Sequence, residues 1–285
     1  MNANLADLLK VLQLERLEIN LFRGQSRDIG SAQVFGGQVL GQALMAAEGT
    51  VENRTAHSLH AYFLRAGDFN SPIVYEVDRS RDGSSFSSRR VVAIQHGQQI
   101  FHMSASFQII EAGFEHQLEM PKVTPPEELP PALGVRRVEG RTAADKESPA
   151  NFIERPFEFR LNPVETWPST GQEYLWFKTI DAVPDSPALH RCLLAYVSDY
   201  YLLAAAVARH GVGLTNRDFK LASLDHAMWF HRSARVDDWL LYVLDSPSAS
   251  GARGLARGSI FTRDGRLVAS TAQEGLMRLR KSSSA

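Results

Sequence analysis

Asp225 and His226 are adjacent in the chain, and a carboxylate beside an imidazole is part of the arrangement that activates a nucleophile in many hydrolases. The residues around them, 224–231, are rich in aromatic and apolar types, which predicts a strand. Because successive side chains of a strand point to opposite faces of the sheet, these two neighbours cannot exchange a proton with each other. We therefore interpret His226, and His60 in a similar setting, as structural residues.

Several common catalytic and binding motifs are absent from the sequence. It has no G-x-S-x-G nucleophile elbow and no G-x-x-x-x-G-K-[ST] loop, and Gly36, Gly37 and Gly41 do not fit the dinucleotide pattern. The nine histidines never adopt H-E-x-x-H spacing. The single cysteine, Cys192, excludes an internal disulfide and a multi-cysteine metal site, and its apolar setting predicts an inert core thiol.

The composition is that of an ordinary soluble globular protein, with 285 residues, 44% of them hydrophobic and 22% charged. Its 31 basic and 32 acidic side chains leave a net charge of −1, which argues against a nucleic-acid partner. The longest apolar run, 200–208, is far shorter than the ~20 residues of a membrane helix. Asp7 and Lys10 interrupt any signal-peptide core, so we expect a cytoplasmic protein with no membrane partner.

Helical spacing near the N-terminus predicts the first element. The apolar residues with this spacing are Leu5, Leu8, Leu9 and Leu12. Asn4 is the expected cap of this helix, and the alternation of apolar residues over 17–21 predicts a strand. Residues 35–47 are small or apolar on nearly every side, which predicts a buried helix, and 199–208 is its expected counterpart later in the chain.

Strand-forming runs follow each predicted central helix. They cover 57–64, 72–77, 86–95 and 99–110 after the first helix, and 224–231, 239–244, 253–262 and 267–272 after the second. Asp264-Gly265 predicts a tight hairpin turn, and His96-Gly97 predicts one at the equivalent place. One buried helix followed by a long antiparallel sheet, twice over, predicts an α+β fold in which each sheet wraps around a central helix.

Proline marks the boundary between the two predicted units. Nine of the 13 prolines lie between Pro121 and Pro168, in a stretch without core periodicity. We therefore predict a domain at 1–115, a polar linker at 116–149 and a second domain at 150–285. Below, residues 1–115 are called the first half and residues 150–285 the second half.

The two halves also share weak sequence matches in the same order. The runs SLHAYF (58–63) and SLDHAMWF (223–230) are similar, as are SASFQ (104–108) and ASTAQ (269–273). His60 and Gln108 are 48 positions apart, and His226 and Gln273 are 47 apart. This nearly constant spacing indicates a duplicated unit.

Six collinear motifs resemble the acyl-CoA thioesterase II family. They are FRG (22–24), VFGGQV (34–39), HSLHAYFLR (57–65), RDGSSF (81–86), DHAMWFHR (225–232) and STAQEG (270–275). The resemblance extends from about Leu8 to Arg278 and weakens only in the proline-rich stretch. It implies a double hotdog fold, that is, two tandem hotdog domains, in agreement with the duplication.

The resemblance also implies a catalytic set. In that family an Asp at the start of the second central helix, a Ser or Thr in the next strand and a Gln in the last strand orient a water for attack on the thioester. Asp199, Ser223 and Gln273 match those positions. Taken alone, they would be interpreted as a helix cap, a strand serine and a buried amide. Backbone N–H groups of Gly36 and Gly37 are expected to bind the developing oxyanion of the substrate.

The first half lacks part of this set. Residues 31–47 contain no Asp or Glu, although Ser58 and Gln108 correspond in the sequence alignment to Ser223 and Gln273. We therefore expect one catalytic site per chain, with apolar side chains around the acyl group. The strand arginines are expected to face solvent, unless one or two hold CoA phosphates; they are Arg89, Arg90, Arg253 and Arg257.

The function predicted from the resemblance is hydrolysis of fatty acyl-CoA by water, without metal or nucleotide cofactor. Two alternatives stay open: a hotdog acyl-CoA hydratase, which would pair a carboxylate with a histidine, and an acyl-CoA binding or sensing protein without turnover. No histidine lies beside Asp199 in the sequence. A homodimer or homotetramer is expected because hotdog sheets often pair, and the C-terminal KSSSA does not match the S-K-L signal.

Overall fold

The computed structural model describes residues 1–132, 135–136, 152–162, 171–210 and 219–279, with only the backbone described at 135–136 and 152–153. Within these residues, thirteen strands form one antiparallel sheet.

The elements of the first half are α1 (Ala3–Leu12), β1 (Glu15–Glu18), β2 (Leu21–Gly24), α2 (Gly36–Glu48), β3 (Thr55–Phe63), β4 (Ile73–Asp82), β5 (Phe86–Gln95) and β6 (Gln98–Gln108). A single 3-10 turn at Pro126–Glu128 and the short strand β7 (Val135–Arg136) follow. The second half contains β8 (Phe152–Ile153), β9 (Phe157–Leu161), β10 (Glu173–Thr179), α3 (Pro187–Ser198), α4 (Leu202–Ala208), β11 (Phe219–Ser223), β12 (Asp225–Phe230), β13 (Leu240–Ser250), β14 (Arg253–Thr262) and β15 (Leu267–Leu279).

Twelve strands of the large sheet follow the order β1-β2-β4-β5-β6-β3-β12-β15-β14-β13-β10-β9. Along this path the two halves contribute six strands each, in mirrored order, and meet where β3 pairs with β12. The thirteenth strand, β11 of the second half, pairs with β15.

Helices α2 and α3 pack against each other at the centre of the molecule. A Cβ added to Gly41 would lie 3.0 Å from the carbonyl oxygen of Cys192, so the two backbones approach closely. Cys192 is fully buried there, as predicted, and burial raises the pKa of its thiol. The sheet curves around these helices, which confirms the predicted architecture of a long antiparallel sheet wrapped around central helices.

The second central helix differs from the prediction. It was expected over 199–208, but the chain forms α3 before Asp199 and the shorter α4 after it. Tyr201 separates the two helices with a left-handed backbone, φ 64°. Together they form the stretch Pro187–Ala208, which is long and apolar enough to qualify as a candidate membrane span. However, 72% of its apolar 18-residue segment is buried inside the fold. Such burial is typical of a core helix.

Smaller elements also refine the predictions. Asn2 rather than Asn4 caps α1, because its side chain accepts a hydrogen bond from the Asn4 N–H. The run expected as one strand is the hairpin of β1 and β2. Both predicted hairpin turns form, with positive φ at Gly97 and Gly265.

Part of the predicted linker packs onto the second half. Trp176 donates its indole N–H to the Thr124 carbonyl, and Leu129 lies in a small apolar cluster on the outer side of the sheet. Arg263 forms an ion pair with Glu127 at 2.7 Å. The remaining linker residues, 133–134 and 137–149, lie outside the described part of the chain.

Candidate active site

The side chain of Gln273 lies at the centre of a polar cluster on the inner side of the sheet. Its Nε2 donates to Asp199 Oδ1 at 2.7 Å and to Ser223 Oγ at 3.1 Å. Gln273 is fully buried, and β15 positions it between the end of β11 and the end of α3. The structure thus brings together the three residues that the family resemblance singled out.

Asp199 follows the last residue of α3 as its C-cap residue, and Tyr201 rather than Asp199 occupies the N-cap position of α4. The Oδ2 atom of Asp199 accepts the backbone N–H of Gly37 at 2.8 Å, in the first turn of α2. The expectation that Asp199 stands at the start of the second central helix is therefore wrong, because α3 ends before it and α4 begins only at Leu202. The Asp199 carboxylate caps the first turn of α2 instead. Phe35, at the N-cap position of α2, provides no side-chain cap, which leaves those N–H groups free for Asp199.

Gly36 and Gly37 have no room for a side chain. A Cβ on Gly36 would lie 2.8 Å from Asp199 Oδ2 and 3.1 Å from the Phe63 ring, and a Cβ on Gly37 would overlap the Tyr196 carbonyl oxygen. The Gly37 N–H is engaged by Asp199. Gly36, the first residue of α2, presents one of the N–H groups that a helix leaves without an intrahelical partner.

His226 was interpreted from sequence as a structural residue apart from the chemistry, yet it contacts the cluster directly. Its Nδ1 lies 3.2 Å from Gln273 Nε2 and 3.9 Å from Asp199 Oδ1, and its Nε2 lies 3.0 Å from Ser198 Oγ. Burial lowers the pKa of this imidazole, and the Asp199 carboxylate opposes part of that shift. No histidine is a neighbour of Asp199 in the sequence, but the fold places His226 close to it.

A sequence signal for His226 did exist. In β12 the buried positions alternate, with His226, Met228 and Phe230 inside. A histidine in phase with two core residues of a strand must point inward. Asp225 points the other way and accepts the Glu274 N–H at 2.6 Å, which confirms that these neighbours do not interact as a pair.

Aromatic rings line the region beside Asp199. Tyr196 and Tyr200 pack against Phe35 with ring centroids 5.2 Å and 4.5 Å away. The guanidinium of Arg155 lies over the Tyr200 ring and donates to the Tyr201 hydroxyl at 2.6 Å. These rings give the cluster an apolar surround.

The corresponding region of the first half has different residues. Leu64 and Arg65 donate to the Ile100 carbonyl as His231 and Arg232 donate to that of Val268, which fixes the correspondence of the strands. Counting back from there, the pair Leu59 and Ala105 of β3 and β6 occupies the place of His226 and Gln273. Ser58 and Gln108 are therefore not the counterparts of Ser223 and Gln273, and that sequence alignment is wrong.

The carboxylate at the end of the first central helix also differs from its counterpart in the second half. Glu48 ends α2 as Asp199 follows α3, but its carboxylate pairs with Arg191 at 2.8 Å. Arg89, which was expected in solvent, is 2% exposed and donates to Thr50 and Asp82. The other strand arginines lie at the surface, and Arg253 and Arg257 form ion pairs with Glu274 and Asp245; none of the four reaches the cluster through a contact in the structure.

A cleft of about 1150 Å³ lies at the opposite end of the β3 and β12 strands, between Thr55 and Phe230. None of its lining residues belongs to the polar cluster. Within the parts of the chain that the structure describes, no three His, Cys, Asp or Glu side chains are grouped as metal ligands.

Two family models match the chain. Residues 147–276 match a model described as acyl-CoA thioesterase, and residues 24–108 match one described as acyl-CoA thioesterase N-terminal domain. Acyl-CoA thioesterase 2 of Haemophilus influenzae is 43% identical over 279 residues, covering 96% of this chain and 98% of that protein.

Solved structures share the fold. The acyl-CoA thioesterase II TesB2 of Mycobacterium marinum superposes with a TM-score of 0.81 at 43% identity, covering 96% of this chain and 99% of that one. A hot dog fold protein of Alicyclobacillus acidocaldarius, of unknown function, has a TM-score of 0.73 at 20% identity, with 96% and 99% covered, and bears on the fold alone. The architecture is a double hotdog.

Proposed function

The chain belongs to the acyl-CoA thioesterase family and is a thioester hydrolase, and from this we propose that it cleaves fatty acyl-CoA with Asp199, Ser223 and Gln273 as catalytic residues. The products are a free fatty acid and CoA. The observation that supports the assignment is the single carboxamide nitrogen of Gln273, which contacts both the Asp199 carboxylate and the Ser223 hydroxyl.

Asp199 acts as the general base in this proposal. One carboxylate oxygen accepts from Gln273 and the other from Gly37, so the group is held in a fixed orientation while each oxygen keeps a further lone pair. A water that donates to this carboxylate attacks the thioester carbonyl carbon, and Asp199 takes its proton. Collapse of the tetrahedral intermediate breaks the C–S bond and releases the CoA thiolate, whose low basicity removes the need for a strong general acid.

Ser223 and Gln273 position the attacking water: the Ser223 hydroxyl binds it, and the Gln273 amide orients Ser223 and Asp199 around it. Because Ser223 Oγ accepts from the Gln273 amide, the serine hydroxyl proton is available for a second partner. The N-terminus of α2 binds the oxyanion, with the Gly36 N–H as the donor that Asp199 does not occupy. Glycine at this position lets the substrate carbonyl approach the backbone.

One observation favours an acyl-CoA hydratase as the second candidate, namely the 3.9 Å separation of His226 and Asp199. However, His226 is fully buried, and both of its ring nitrogens have partners in Gln273 and Ser198. An imidazole without a free nitrogen cannot exchange a proton with substrate. Thioester hydrolysis therefore remains the better interpretation.

Further properties belong to the same proposal. The aromatic and apolar side chains near Asp199 surround the acyl group, and the first half contributes packing and the α2 N-terminus rather than a second site. We expect a cytoplasmic homodimer or homotetramer that needs no metal or nucleotide cofactor.

The test is thiol release from short, medium and long acyl-CoA substrates by the parent protein and Asp199→Asn. The variant removes the base with little change in shape, so we expect kcat to fall about 100-fold or more. Glu48→Gln is the matched control, since Glu48 ends the other central helix, and its turnover should stay within about twofold. A fully active Asp199→Asn enzyme would refute the assignment.

A further inference from the structure

We propose that His226 is a positioning residue of the thioesterase reaction: in its neutral form it holds the Gln273 carboxamide in the one orientation that serves Asp199 and Ser223. The inference rests on the proposed function of those three residues. It assigns to His226 no contact with substrate, only a hydrogen bond to the Gln273 amide that orients Asp199 and Ser223.

The hydrogen bonds define which ring nitrogen carries the proton. Gln273 Nε2 can only donate, so the His226 Nδ1 that lies 3.2 Å from it accepts. His226 Nε2 then carries the hydrogen and donates to Ser198 Oγ at 3.0 Å. The Ser198 hydroxyl in turn donates to the Ala195 carbonyl at 2.9 Å, so every donor in this chain of hydrogen bonds faces an acceptor.

The hydrogen bonds of the Gln273 amide nitrogen, and not those of its oxygen, hold the amide in its orientation. Gln273 Oε1 is buried and has no hydrogen-bond partner among the described residues. Rotating the amide by half a turn would place that oxygen against Asp199 Oδ1 and His226 Nδ1, both acceptors. The two Nε2 hydrogens are shared among three acceptors, from Asp199, Ser223 and His226, and this set of acceptors fixes the orientation.

Protonation of His226 would reverse this role. Nδ1 would become a donor that faces the Gln273 N–H, and a cation would stand 3.9 Å from Asp199 Oδ1, in competition with the amide for the carboxylate. Among the described residues, the titratable groups facing this imidazole are Asp199 after α3 and, through Ser198, the Tyr242 hydroxyl of β13. β15 presents the uncharged Gln273, and β3 presents Ala61 opposite His226.

The pH dependence of activity follows from this geometry. Burial lowers the pKa of His226 below its ordinary value of 6.5, so the imidazole is neutral at pH 7. Turnover should fall on the acid side as His226 takes up a proton. A variant that cannot be protonated but still accepts a hydrogen bond should keep its activity to lower pH.

Two substitutions test the proposal, with kcat and KM measured against pH by the ultraviolet absorbance of the thioester. His226→Asn keeps an acceptor near the place of Nδ1, so we expect kcat at pH 7.5 within about fivefold of the parent and an acid limb moved to lower pH. His226→Leu introduces the residue that β3 has at Leu59 and removes the acceptor. Its kcat should fall about 10- to 100-fold with little change in KM, the scale of a misplaced catalytic group.

His190→Asn is the matched control, because His190 is another buried histidine whose Nδ1 accepts a backbone N–H, from Val236, away from the cluster. Its acid limb should match that of the parent.

An unshifted acid limb in His226→Asn would overturn the proposal, as would full kcat in His226→Leu. Should His226→Leu fail to fold, nitrogen NMR of the parent decides, since a proton on Nδ1 at pH 7.5 would equally refute it. Asp199→Asn, assayed alongside, separates the two proposals. If Asp199→Asn stays active, the proposed function is refuted. If Asp199→Asn is inactive while the His226 variants behave like the parent, only the present inference is refuted.

Discussion

The two halves of the molecule share a strand order and differ in how their central helices begin. Helix α3 is capped by its own Ser186, whose hydroxyl accepts the Leu189 N–H, and its first residue is Pro187, which has no N–H. Helix α2 begins after Phe35 with two glycines and has no side-chain cap of its own. An incompletely capped helix start is open to an anion, and in this protein Asp199 of the other half takes part of it.

The difference teaches where chemistry can arise in a duplicated fold. At corresponding places of the two sheets, Leu59 and Ala105 form ordinary core packing, whereas His226 and Gln273 form a polar network. The carboxylates at the helix ends diverge likewise, because Glu48 pairs with Arg191, whereas the hydrogen-bond donors to Asp199 among the described residues are the uncharged Gln273 and Gly37. A few substitutions on a common scaffold thus separate a half with apolar packing at this place from a half with a buried polar network.

The largest effect should come from filling the gap between the central helices. A methyl group at Gly37 would overlap the Tyr196 carbonyl, so Gly37→Ala should lower the free energy of unfolding by about 3 kcal/mol and abolish most turnover. Ala188, the second residue of α3, is the corresponding site, and Ala188→Gly should cost only about 1 kcal/mol. Urea unfolding followed by circular dichroism measures both, and equal losses would contradict the comparison.

The next effect separates spatial from sequence correspondence. Gln273→Ala should lower kcat about 100-fold, because the amide that joins Asp199 to Ser223 is lost. Gln108→Ala should leave kcat within about twofold, since the Gln108 side chain donates to the surface residue Glu111 and has no contact with the polar cluster among the described residues. Steady-state thiol release compares the two variants, and a large loss in Gln108→Ala would restore a catalytic role to the first half.

The smallest effect concerns the cap of the second central helix. Ser186→Ala removes the hydroxyl that accepts the Leu189 N–H and should destabilise the fold by about 1 kcal/mol. Because this end of α3 lies away from the polar cluster, kcat should not change. Thermal unfolding and thiol release on the same preparation check the two parts, and a fall in kcat without loss of stability would show that this end of the helix serves the reaction.

Much of the fold could be predicted from the sequence, because strand periodicity and turn residues are local signals. The strands and both hairpin turns, at Gly97 and Gly265, follow from them. The break between α3 and α4 did not, since residues 187–208 are mostly apolar on both sides of Asp199 and the turn depends on one tyrosine, Tyr201, in a left-handed conformation. Non-glycine residues seldom adopt that conformation, so no sequence pattern predicts it.

The residue types of the site could be predicted from the sequence, but their hydrogen-bond partners could not. The family resemblance singled out Asp199, Ser223 and Gln273, but the partner of Asp199 on α2 lies 162 residues away and is a backbone group. The alignment of the two halves was also wrong, because the short runs SASFQ and ASTAQ match in residue type at a register that strand pairing does not share: Ala105, not Gln108, corresponds to Gln273. Arg89 was misplaced for a related reason, since its partners Thr50 and Asp82 bury a charge that strand patterns assign to solvent.

The pairing of β3 with β12 has a consequence for synthesis on the ribosome. His60 pairs with Ala227, which is 167 residues later (227 minus 60). At the usual elongation rate of about 5–20 residues per second, the nascent first half waits roughly 8 to 33 seconds with that strand edge open. Such an edge can recruit the same strand of a neighbouring nascent chain, so crowded polysomes are where this protein is most exposed to misassembly.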